Sequence, residues 1–102
     1  MVEMVELPEW LWIVIETEGN QDRLFGQHDQ EKDIFFIPSF YSQEVGETCL
    51  NFLLKVPGRR YEVQAMRAAE IVKTIQTHDY QLLILDENGK VLEDLSPPSN
   101  QH

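Results

Sequence analysis

Two short apolar runs, residues 11–15 and 34–37, constrain this chain more than any other feature. Both are far shorter than a helix needs to show a periodic face, and both are rich in β-branched or aromatic side chains. A nearly continuous run of that kind predicts a strand covered on both faces and placed centrally in a sheet. The first strand is expected over residues 10–17, entered just after Pro8. Gly19-Asn20 supplies a turn into a second strand over residues 23–28. The polar stretch 28–33 then closes a hairpin onto a third strand over 34–40, whose end Pro38 is expected to demote to an edge or bulge.

Helical signals follow. Ser42 is an N-cap candidate, with Glu44 and Glu47 near the positive helix N-terminus. Val45, Cys49, Phe52 and Leu53 recur on one helical face, and Val56-Pro57-Gly58 is a stop signal. Gly46 inside that helix costs about 1 kcal/mol relative to Ala, which marks a close approach to the sheet. Residues 61–66 alternate as a short strand, and 67–78 carry an apolar stripe of Ala68, Ile71, Val72 and Ile75. Strands over 81–86 and 90–95 flank Asn88-Gly89, the strongest hairpin signal in the chain, with Glu87 expected opposite Lys90.

The order is β-β-β-α-β-α-β-β. It predicts an α+β fold with a mixed or antiparallel sheet of five to six strands and two helices packed on one face. At 102 residues the chain is the size of one domain, expected over 1–95, with a polar Pro-Pro tail over 96–102 expected to be disordered.

Charge and cysteine content exclude several function classes. A net charge of −10 opposes binding to nucleic acid, which is gripped by Lys and Arg, and to an anionic membrane surface. The single Cys49 rules out an internal disulfide, and the acidic N-terminus is unlike a signal peptide, so a cytoplasmic location is expected. The charge is uneven. Residues 1–47 hold eleven acids against two bases, residues 79–102 five against one, and residues 48–78 two acids against five bases.

The segment Phe36-Ile37-Pro38-Ser39-Phe40-Tyr41-Ser42-Gln43-Glu44 runs from an apolar strand through Pro and Phe to a capped helix. It resembles the strand-to-helix junction of SseB-type N-terminal domains, a bacterial family. The resemblance extends over roughly residues 10–95 in the order of elements. It implies a bacterial cytoplasmic domain of α+β fold and carries no catalytic residues. His78-Asp79-Tyr80 stands where members often carry a residue such as Gly, and many members are longer.

No catalytic, cofactor or metal motif stands out. Asp29, Glu31 and Asp33 alternate beside His28, but Ile34 occupies the place of the sharp-turn glycine of a calcium loop. Cys49 sits on an apolar helix face, as a structural thiol does, and His28, His78 and His102 form no zinc spacing. Two clusters are candidates for contact. Trp10 and Trp12 share one face of the first strand, and with Phe35 they make a candidate partner surface. Arg59, Arg60 and Arg67 make a candidate anion site. The expected function is a non-catalytic protein-interaction module whose partner is another protein or a second copy of itself, without cofactor. The alternative is a regulatory domain that recognises an anionic metabolite. An enzyme would need groups such as Glu62 or His78 to meet in a cleft.

Overall fold

The computed structural model describes residues 7–53 and 55–95. The apolar run near the N-terminus forms β1, Trp10–Glu18, and the two-residue turn at Gly19, with φ +62, feeds β2, Gln21–Leu24. The expected second strand is broken at Phe25-Gly26, and its remainder is β3, Gln27–Asp29. β4 is Ile34–Phe40, α1 is Gln43–Leu50, β5 is Arg60–Arg67 and α2 is Ala68–Gln76. β6, Gln81–Leu85, and β7, Val91–Asp94, close the chain. The tail 96–102 lies outside the described residues.

The fold is α+β with one mixed sheet of seven strands, more than the five to six expected. The count rises because the second strand is split in two. β1 pairs with β5 along its whole outer edge, while its inner edge is shared between β4 and β2. β4 pairs in parallel with β6, and β6 pairs antiparallel with β7. β1 and β4 are therefore central, as their continuous apolar character requires.

β1 and β4 touch at only two positions, Trp12–Phe40 and Ile13–Ser39. Beyond them they part, and β2 lines one side of the gap while β3 lines the other. Pro38 stands at this parting and has no partner on that side. It is thus neither on an edge strand nor at a bulge, contrary to the expectation. A residue without an N–H leaves no donor stranded in the gap. Phe25 plugs the fork, buried, its N–H donating to the Val14 carbonyl at 2.9 Å.

The two helices lie on opposite faces, which corrects the one-sided arrangement. Leu11, Ile13, Ile37, Leu82 and Ile84 pack with Ala68, Ile71 and Ile75 of α2. Val14, Phe40, Val63, Leu83 and Leu85, from the other side of the same strands, pack with Cys49 of α1. The reason is topological. β4, β5 and β6 all run parallel, but the chain steps outward from β4 to β5 and then back across the sheet to β6. Two right-handed crossovers that travel in opposite directions put their helices on opposite faces.

Local details follow the sequence closely in places. The Ser42 hydroxyl caps α1 by accepting from the Val45 N–H at 3.2 Å. α1 stops at Leu50, so Phe52 falls beyond the helix and is 65% exposed instead of joining the apolar face. Gly46 lies against the sheet as expected: a Cβ there would sit 2.9 Å from Phe40 and 3.0 Å from Val63. In the last hairpin Gly89 takes φ +82, and Asp86, not Glu87, stands opposite Lys90, donating its N–H to the Lys90 carbonyl at 2.9 Å.

Candidate functional site

Three regions carry chemistry. The first is a charged cluster on the α1 face, at the end of β1. Glu16 is buried on β1 because the alternation of the strand aims it inward beside Val14. Its carboxylate accepts from Arg59 Nη1 at 3.2 Å and from the Tyr61 hydroxyl at 2.8 Å, and it pairs with Arg23 Nε at 3.3 Å. Glu18 bridges the same two arginines, at 2.8 Å from Arg23 and 3.4 Å from Arg59. The Tyr61 oxygen accepts from the Val56 N–H at 2.7 Å, which ties the 55–59 loop to the sheet. The hydrogen bond from Arg59 to Glu16 raises the guanidinium's hold on its proton, and burial pushes the Tyr61 phenol above 10.0. Two carboxylates balance two guanidiniums, so the cluster fastens the β1–β2 hairpin to β5 and offers no free charge to a ligand.

The second region is the fork between the two hairpins, on the α2 face. It encloses a cleft of about 330 Å³ whose apolar lining is Leu24, Ile37 and Ile75, with Arg23, Thr74, His78 and Tyr80 around it. That is at the small end of ligand-binding cavities. Tyr80 continues into a row of stacked rings, 5.9 Å from Phe35, which is itself 4.4 Å from His28. His28 Nε2 lies 2.9 Å from Asp33 Oδ1. The Asp29 carboxylate accepts from the N–H groups of Glu31 and Lys32, so it shapes its own loop. Among the described residues no three His, Cys, Asp or Glu side chains converge on one point.

The third region is the outer edge of β5, which among the described residues pairs with no strand beyond β1. Its pairing to β1 runs through eight consecutive positions without a register shift, and it contains neither Pro nor Gly. β7, the opposite edge, has four residues, a register irregularity at Ile84/Leu85 and two acids. Shortness, bulges and charge are the usual defences of an edge strand; β5 is long and unbulged, and its charges Arg60, Glu62 and Arg67 are its one defence.

Set against these regions, the sequence candidates disperse. Trp10 is 49% exposed, Trp12 is half-buried against the α1-side core, and Phe35 lies on the α2 face. Parity separates Phe35 from the tryptophans, so the three make no common patch. Arg60 and Arg67 stand at the two ends of β5, roughly 23 Å apart at 3.3 Å per residue. Arg59 is held by Glu16 and Glu18, and Arg67 pairs with Glu9 at 3.2 Å while lying 4.7 Å over the Trp10 ring. The three arginines therefore form no single anion site. Cys49 is fully buried, and burial followed by the nearby Asp86 charge raises its thiol above 9.0. Glu62 is exposed on β5 and accepts from Gln64, away from His78 at the cleft.

The free β5 edge was hidden from sequence reasoning, because edge position depends on which strands pair. The one signal available was the unbroken alternation of residues 61–66 without a guarding proline or glycine. No helix among the described residues is long and apolar enough to cross a membrane. Comparison with protein-family models, with curated proteins and with solved structures gave no match to this chain.

Proposed function

We propose that this chain is a non-catalytic protein-interaction module of the bacterial cytoplasm, related to SseB-type N-terminal domains, and that it binds by adding a strand to the free edge of β5. The observation that carries the reading is that edge: eight residues in unbroken register, without proline, glycine or bulge, and with no further strand paired to it among the described residues. The exposed Trp10 ring, stacked under Arg67 at the end of β5, adds an aromatic anchor beside it. The test is an NMR titration with a seven-residue alternating Thr/Val peptide. Shifts confined to β5, β1 and Trp10 support the reading. Absence of any shift at millimolar peptide sinks it.

A second reading rests on the cleft at the fork. Its apolar lining and its rim of Thr74, His78 and Tyr80 suit a small amphipathic ligand and a regulatory role. The dispersed arginines give no support to an anionic one. A thermal-shift screen against nucleotides, amino acids and phosphorylated metabolites decides it, and a flat profile removes it.

A further inference from the structure

We infer that the strand received by the β5 edge is β5 of a second copy, in an antiparallel dimer whose two-fold axis passes through Gln64. The inference rests on the strand-addition reading above and names its partner.

An isologous antiparallel contact needs an axis perpendicular to the sheet, so that each residue faces one on the same side of the sheet. Few registers of β5 meet that condition with useful overlap. Centring on Val63 overlaps residues 60–66, but it puts two Val63 side chains, each already buried in its own α1-side core, at the axis and leaves no polar pair there to fix the register. Centring on Tyr61 pairs Arg60 with Glu62 but leaves most of the strand unmatched. Centring on Gln64 sets Tyr61 opposite Arg67, Glu62 opposite Met66, Val63 opposite Ala65, and Gln64 opposite itself. This register overlaps residues 61–67 and opposes no like charges. The amide of Gln64 is both donor and acceptor, so two of them across the axis satisfy each other.

The helices leave room. Gly46 touches Phe40 on β4 and Val63 on β5, which flank β1, so α1 rides above β1 and not above the edge. With strands about 4.8 Å apart, the two α1 axes lie about 14 Å from each other across the dyad. Helices pack at 8–10 Å, so this spacing avoids collision. α2 packs on the other face against β1, β4 and β6, with its start at Ala68 next to the end of β5. Each copy carries a net charge of −10, which opposes association and makes it salt-dependent.

Sedimentation velocity on the full chain, from micromolar to millimolar and at two salt concentrations, tests the dimer. A monomer–dimer equilibrium that strengthens with salt is expected. Gln64→Lys places two ammonium groups at the axis and should weaken the dimer at least tenfold while leaving the circular dichroism unchanged; Leu92→Lys on β7 should leave the dimer intact. Gln64→Cys should cross-link on mild oxidation well ahead of Ala65→Cys. The facing residues lie within disulfide reach, while the Ala65 pair is offset to roughly 8 Å. A dimer indifferent to Gln64→Lys, or one abolished by Leu92→Lys, overturns the inference. A strict monomer that still binds the Thr/Val peptide overturns the second copy as partner and leaves the strand-addition reading standing.

Discussion

Gly46→Ala sets helix propensity directly against packing. In an exposed helix the change is stabilising by about 1 kcal/mol, because Gly gives up more backbone entropy than Ala. Here the added methyl would sit 2.9 Å from Phe40 Cδ2 and 3.0 Å from Val63 Cγ1. Neither neighbour is the loose end of a flexible chain: Phe40 is completely buried and Val63 is 5% exposed. Overpacking a rigid site costs roughly 1–3 kcal/mol, and contact with two side chains at once places this site in the upper part of that range. The net expectation is a loss of about 1–2 kcal/mol, or about 5–15 °C in Tm for a domain of this size. Urea unfolding should move to a lower midpoint with an unchanged slope. The double variant Phe40→Leu/Gly46→Ala should be more stable than the two single losses predict by about 1 kcal/mol, since Leu makes room for the methyl. A Gly46→Ala protein as stable as the parent would refute the close approach of α1 to the sheet.

Glu16→Gln keeps the shape of a buried side chain and removes the charge that Arg23, Arg59 and Tyr61 surround; a loss of about 1–3 kcal/mol by urea unfolding is expected, and a neutral result would mean that the cluster holds nothing. Ser42→Ala deletes the cap on Val45 and should cost about 1 kcal/mol, with Ser42→Asp restoring it. Burial keeps Cys49 and Tyr61 protonated above their ordinary 9.0 and 10.0, so the unfolded chain loses those protons first. Their contribution to stability is complete below the lower of those values and declines as pH rises toward the raised folded values. Unfolding measured from pH 8 to 11 should show the decline, and Cys49→Ala should flatten its first part. An identical slope in the variant would rule out the thiol as a cause.

Local rules carried the sequence a long way where the determinants are local. Residues 34–40, the Ser42 cap and the hairpin around Gly89 are each set by a few adjacent side chains. Small local departures occur at Phe25-Gly26, at the early end of α1 and at Asp86, but the failures that alter the architecture are of long range. Right-handed crossovers put both helices on one face only when both travel the same way, but β5 sits at the far edge and reverses the second crossover. Phe35 and Trp10 share an aromatic character but not a face, and a comparison of strands that do not adjoin requires the pairing to be known. Arg59 is nearest in sequence to Arg60, yet its partners Glu16 and Glu18 come from the other end of the chain. The free edge became visible only once β1 was seen to take β5 on one side and both β2 and β4 on the other.

The long register between β1 and β5 also fixes an order of events. Its partners lie roughly 50 residues apart in sequence, whereas β1–β2, β3–β4 and β6–β7 are short hairpins that close within microseconds. On a ribosome, β1 therefore emerges and folds back on β2 long before its outer edge can be covered. During synthesis of roughly the next forty residues, a central strand of the domain waits with one flank open. The β5 edge of the finished protein inherits that vacancy, moved outward by one strand.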